Sequence, residues 1–166
     1  DRAITRVLSS KRFTMGPAVK NFEQAICEKF GFKHSVMVNS GSSANLVMLT
    51  ALQITKGKDW PENPEVIVPA VSWSTTFTPF YYLNMTPVFV DIDQENLGLS
   101  IDRVLEAITP KTVAILAVNV LGLPAQLDLL SKIADERGLT LLEDNCESLG
   151  AKLDGSYTGA YGLASS

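Results

Sequence analysis

The run Val113-Ala114-Ile115-Leu116-Ala117-Val118, then Pro124 to Arg137, then Gly138 and Thr140-Leu141-Leu142-Glu143, decides the fold. The first segment is short, apolar and β-prone throughout, which predicts a strand buried on both faces. In the second, Leu127, Leu130, Ile133 and Ala134 recur on one helical face, and Gly138 is placed to cap it. The third is another short apolar run that ends on an acid. Two buried strands joined by an amphipathic helix make a parallel βαβ unit.

Outward from this unit the same alternation continues. Ser35 to Asn39, Glu65 to Pro69 and Pro87 to Val90 read as strands. Val19, Phe22, Ile26 and Phe30 form a helical stripe ended by Gly31. Ser42 to Ile54, rich in Ala, Leu, Met and Val, predicts a buried helix, and Ser100 opens one that runs through Ile108 to a stop at Pro110. Lys56 to Pro64 reads as a surface loop. The expected fold is α/β, with a mainly parallel sheet and helices on both faces, in one domain spanning 1–166.

A chain of 166 residues with 46% hydrophobic content can bury a sizeable core. The net charge of −4 is spread without runs, which favours neither nucleic acid nor an anionic membrane surface. No segment approaches the roughly 18 apolar residues of a membrane span. The N-terminal Asp-Arg-Ala-Ile-Thr-Arg has no secretory h-region. Cys27 and Cys146 lie far apart and form no CxxC pair, which suits a cytoplasmic protein.

In open parallel sheets ligands bind outside the carboxyl ends of strands, so the residues after each strand carry the chemistry. Asn39-Ser40-Gly41-Ser42-Ser43-Ala44-Asn45 leads into a helix. There Gly41 allows a tight turn, and the free N–H groups of Ser42, Ser43 and Ala44 make an anion site; a plain serine N-cap is the competing explanation. It is not a P-loop, and no GxGxxG is present. Trp73, among Ser72, Ser74, Thr75 and Thr76, can offer its face to a planar ring, although a core tryptophan would satisfy the same pattern. Glu143 and Asp144 end a buried strand, where a carboxylate needs a cation or good hydrogen bonds. Asp91 and Asp93 read instead as turn and cap residues. An anion cradle, an aromatic plate and an acid suit pyridoxal phosphate, whose ring nitrogen a carboxylate keeps protonated so that the ring acts as an electron sink.

The motifs also carry a family likeness. Met15-Gly16-Pro17-Ala18-Val19, Phe22-Glu23, Phe30-Gly31, Asn39 to Asn45, Pro87 to Asp91, Val118-Asn119-Val120-Leu121-Gly122 and Glu143-Asp144, in that order, resemble the DegT/StrS nucleotide-sugar aminotransferase group of fold-type I pyridoxal-phosphate enzymes. The resemblance implies that the chain is part of the large domain of that fold. It implies that Gly41, Ser42 and Ser43 cradle the cofactor phosphate, Trp73 stacks on the ring, Asp144 meets the ring nitrogen, and Glu147 stands near the ring hydroxyl, where many members have glutamine.

Ser72 to Thr76 and Asn145-Cys146-Glu147, where ordinary members read Ala-Ala-Gln, are similar to the sugar 3-dehydratases of the group. These use pyridoxal or pyridoxamine phosphate to remove the C3 hydroxyl of a nucleotide-linked 4-keto-6-deoxyhexose, in deoxysugar synthesis for lipopolysaccharide O-antigen. A nucleotide-sugar aminotransferase is the alternative, and a non-catalytic phosphate- or nucleotide-binding module a second one. A homodimer is implied by the family.

The family's catalytic lysine or histidine would fall after Ser166. Lys111, Lys152 and the sole histidine, His34, sit elsewhere and are not nominated. The chain starts without methionine and stops on Gly-Leu-Ala-Ser-Ser, so it is expected to be an N-terminal fragment lacking the last sheet strands and the small C-terminal domain. An exposed apolar sheet edge and weak cofactor retention would follow.

Overall fold

The computed structural model describes residues 2–166, which fall into two compact units divided between Val38 and Asn39. The first carries helices α1 (Arg2–Ser9) and α2 (Pro17–Phe30). Pro17 suits the first turn of α2, where its missing N–H is no loss, and Gly31 closes the helix at φ 76° with its N–H on the Cys27 carbonyl. The expected strand at Ser35 to Asn39 does not form. A strand needs a neighbour's row of peptide groups, and here the Met37 N–H donates instead to Glu23 Oε1 at 2.8 Å.

The second unit begins with α3 (Gly41–Lys56) and a 3₁₀ turn at Gly57–Asp59. It continues through β1 (Glu65–Pro69), α4 (Ser74–Tyr82), β2 (Thr86–Val90), α5 (Ile101–Ala107), β3 (Thr112–Val118), α6 (Leu127–Arg137) and β4 (Thr140–Asp144). A two-residue antiparallel pair, β5 (Lys152–Leu153) and β6 (Ser156–Tyr157), precedes β7 (Ala164–Ser165). The five-stranded sheet has the order β2-β1-β3-β4-β7 and is parallel throughout.

Side chains along the strands alternate between two cores, as the pleat requires. Ile67, Ile115, Ala117 and Leu141 pack with Val104 of α5 and with Leu127, Leu130 and Ile133 of α6. Val66, Val68, Ala114, Leu116 and Leu142 pack with Met48, Leu49 and Leu52 of α3 and Phe80 of α4. Each fully buried Leu or Ile contributes roughly 1.5–3 kcal/mol. Helices therefore cover both faces, as the alternation of strand and helix in the sequence predicts.

Three details differ from that expectation. Helix α4 is absent from it because Ser-Thr-Thr-Phe-Thr-Pro79 carries β-branched residues and an internal proline, all poor helix formers. Helix α3 is buried on one face only, through Asn45, Met48, Leu49 and Leu52, whereas Leu46, Val47 and Ile54 are exposed. Strand β7 was not expected from residue patterns, and it is defined by its pairing of Leu142 with Ala164 and Glu143 with Ser165.

Candidate active site

From β1 the chain crosses to β2 on one side of the sheet, and later places β3 on the other side of β1. This reversal of direction is a topological switch point, and a crevice opens beyond the carboxyl ends of strands at such a point. Here the crevice has a volume of about 480 Å³. Gly41, Ser42 and Asn45 of α3 form one wall, Val71 to Trp73 with Thr75 and Thr76 another, and Asp144, Cys146 and Glu147 the floor beyond β4.

Asp144 is only 3% exposed, and three donors hold its carboxylate. Asn45 Nδ2 and Thr76 Oγ1 each donate to Oδ2 at 2.9 Å, and the Cys146 N–H donates to Oδ1 at 3.2 Å. Glu143, its neighbour, points to the opposite face of the sheet. Its Oε1 accepts from the N–H groups of Tyr161 (2.9 Å) and Gly162 (2.8 Å), and its Oε2 from that of Gly159 at 2.6 Å. Of the two acids ending the strand, one is therefore a structural anchor and the other faces the cleft.

Trp73 is 75% exposed at the N-terminus of α4, which excludes a core tryptophan. Ser40 is the N-cap of α3, with its Oγ accepting from the Ser43 N–H at 3.2 Å. The Ala44 N–H goes to the Ser40 carbonyl, so among the described residues only the Ser42 amide of the three expected to be free has no partner. Ser43 thus belongs to the cap rather than to the cleft lining, while the Ser42 hydroxyl donates to Thr75 Oγ1 at 3.0 Å.

Gly41 is not in a left-handed conformation, so the turn does not demand glycine there. What glycine supplies is room: a Cβ at this position would lie 2.5 Å from Cys146 Sγ, so the exposed thiol would have to turn aside. Partial burial, followed by the charge and hydrogen bonding of Asp144, pushes the Cys146 thiol up to about 11.

Glu147 accepts from the Leu121 N–H at 3.0 Å, which ties the floor of the cleft to the loop after β3. Asn119, fully buried, reinforces that tie by donating to Asn145 Oδ1 at 2.7 Å. Asp91 and Asp93 are turn residues, as expected, with Asp93 Oδ1 accepting from the N–H groups of Glu95 and Asn96.

Among the described residues no lysine or histidine lines the cleft. Lys152 lies over the Tyr157 ring, 4.4 Å from its centroid. Among the described residues there is no His/Cys/Asp/Glu cluster able to hold a metal ion, and no helix is long and apolar enough to cross a membrane.

Residues 1–166 match the family described as the DegT/DnrJ/EryC1/StrS aminotransferase family. The chain belongs to that family. Among curated relatives, the DegT/DnrJ/EryC1/StrS chain is 51% identical over 161 residues to GDP-4-keto-6-deoxy-D-mannose 3-dehydratase of Yersinia pseudotuberculosis. That match takes in 97% of this chain and 41% of the relative. The solved E. coli GDP-4-keto-6-deoxy-D-mannose-3-dehydratase with bound hydrated PLP superposes with a TM-score of 0.91 at 48% identity, covering 98% of this chain and 42% of that one. A Helicobacter pylori aminotransferase involved in pseudoaminic acid biosynthesis gives 0.88 at 27% identity, covering 99% and 43%. The chain therefore spans about two fifths of the length of these DegT/DnrJ/EryC1/StrS proteins.

The structure brings Gly41, Ser42, Trp73, Asp144 and Glu147 into one cleft. It adds Asn45, Thr75, Thr76 and Cys146, which sequence reasoning did not place in the site. One signal was available for Asn45: it sits at i, i+4, i+7 with Leu49 and Leu52, a polar residue on a buried stripe.

Proposed function

We propose that this chain is the cofactor-binding portion of a pyridoxal- or pyridoxamine-phosphate enzyme that dehydrates GDP-4-keto-6-deoxymannose, or a close nucleotide-linked keto-deoxysugar, at C3. The observation that carries the reading is the buried Asp144, oriented by three donors at the floor of a cleft whose side presents an exposed tryptophan. A buried carboxylate so arranged has no packing role that an apolar residue would not fill more cheaply. It suits a cationic or protonated ring nitrogen.

The residues present fit the cofactor. Gly41 and Ser42 would hold its phosphate at the N-terminus of α3, where the Ser42 amide and the helix dipole favour an anion. Trp73 would cover one ring face and exclude water from it. Asp144 would keep a proton on the ring nitrogen, and Glu147, fixed by Leu121, would stand by the ring hydroxyl. When bound, the cofactor supplies an amine or aldehyde and an electron-accepting ring. The group that moves protons at the sugar would come from outside these 166 residues.

Identities of 51% and 48% to dehydratases, against 27% to an aminotransferase, support dehydration over amination, as does Asn145-Cys146-Glu147. A homodimer and a cytoplasmic role in lipopolysaccharide deoxysugar synthesis accompany the reading. Two experiments test it. The chain should bind pyridoxamine phosphate, followed by the cofactor's absorbance, and Asp144→Ala should weaken that binding. A full-length protein carrying this sequence should convert the keto-sugar to its 3-deoxy product. A 4-amino product would favour the aminotransferase, and binding of inorganic phosphate with no binding of cofactor would favour a simple phosphate-binding module.

A further inference from the structure

The first turn of α4 meets both the anion wall and the acid of the cleft. Trp73 caps it, Thr75 accepts a hydrogen bond from Ser42 at 3.0 Å, and Thr76 donates to Asp144 at 2.9 Å. Successive helical residues point about 100° apart, so adjacent hydroxyls can address opposite ends of one cleft. Asn45, on α3, meets the same Asp144 oxygen as Thr76. We propose that Asn45 and Thr76 are positioning residues for Asp144 and that Thr75 positions Ser42, so that the start of α4 sets the span between the acid end and the anion end of the ligand site.

The amide of Asn45 supports this. Its Nδ2 donates to Asp144, and its Oδ1 is buried with no partner among the described residues. Turning the amide over would set oxygen against the carboxylate, so Asp144 dictates its orientation. A buried acceptor left unsatisfied is a cost that a purely structural site would avoid by placing an apolar residue at position 45. Asn45, Thr76 and Asp144 are all buried, and Oδ1 of the carboxylate is held in turn by the Cys146 N–H. With both oxygens held, the carboxylate is kept in one orientation, in which it would meet a ring nitrogen.

The inference rests on the reading of this cleft as a pyridoxal-phosphate site, and three probes separate the two. They are pyridoxamine 5′-phosphate, its analogue with CH in place of the ring nitrogen, and pyridoxamine without phosphate. Thr76→Val is expected to weaken pyridoxamine 5′-phosphate binding roughly five- to tenfold and to leave the CH analogue unchanged. Asn45→Leu should act in the same direction, and Thr76→Val, which keeps the side chain's shape, stands alone if the Asn45 variant does not fold. Thr75→Val should weaken both phosphorylated probes alike and spare pyridoxamine. Equal loss of all probes in Thr76→Val, or no loss of any, overturns the positioning role while leaving the site reading intact. If the unmodified chain binds none of them, the reading and this inference fall together.

Discussion

Gly41 and Cys146 meet so closely that a Cβ on the first would lie 2.5 Å from the sulfur of the second. The contact joins the start of α3 to the turn after β4 and sets how near the anion end of the cleft lies to its acidic floor. Gly41→Ala is therefore expected to push the Cys146 thiol aside, to destabilise the chain by no more than about 1 kcal/mol and to weaken phosphate binding. Adding Cys146→Ala should restore both. Urea unfolding and cofactor titration of the single and double variants check this, and a double variant no better than Gly41→Ala would rule out the steric cause.

Trp73 should separate folding from binding. Because it is mostly exposed, Trp73→Ala is expected to change unfolding free energy by no more than about 0.5 kcal/mol. Loss of the ring face should weaken pyridoxamine phosphate binding roughly three- to tenfold. The two measurements on one variant suffice.

Glu143 should do the reverse. In Glu143→Gln the amide nitrogen must face at least one of the N–H groups of Gly159, Tyr161 or Gly162 that the carboxylate now accepts. Stability is expected to drop by about 2–4 kcal/mol, read by urea denaturation. Gly162→Ala should be at least as damaging, because its Cβ would lie 2.7 Å from the Leu141 carbonyl oxygen, a backbone atom that cannot step aside.

The Cys146 thiol gives a pH signature. Its value, raised from 9.0 to about 11, means that the folded chain keeps a proton that the unfolded chain releases first. Its stabilising contribution is thus complete below pH 9 and is lost as pH rises through about 11. Alkylation of Cys146 near pH 8 should be slower than that of the unfolded chain by roughly one to two orders of magnitude. Asp144→Asn, which removes the nearby charge, should speed it. Mass spectrometry of the alkylated peptide reports both.

Much of this molecule was legible from residue patterns, for identifiable reasons. Helix α6 and its flanking strands were clear because Leu127, Leu130, Ile133 and Ala134 repeat at helical spacing beside runs that are apolar throughout. Gly31 and Gly138 marked helix ends because only a residue without Cβ takes their left-handed φ readily. Asp144 and Trp73 stood out as residue types that are costly or unusual at a strand end.

Contacts between distant segments were not legible. Thr76 meets Asp144 across 68 positions and Asn45 meets it across 99, and no local period encodes either. The crowding at Gly41 was hidden for the same reason, since the atom that meets it belongs to residue 146. The segment Ser35 to Asn39 failed in the opposite direction: its local composition is strand-like, but strands are defined by their neighbours.

The anchoring of Gly159, Tyr161 and Gly162 on Glu143 has a kinetic consequence. The Glu143 carboxylate is set in place to accept from all three N–H groups only once β4 has been laid beside β3. The turn from Gly159 to Gly162 should thus order after β4 does, and open locally when the Glu143 contacts are lost. Its amide protons should exchange well before those of Leu116 or Leu142, and Glu143 acts as the latch that sets the interval.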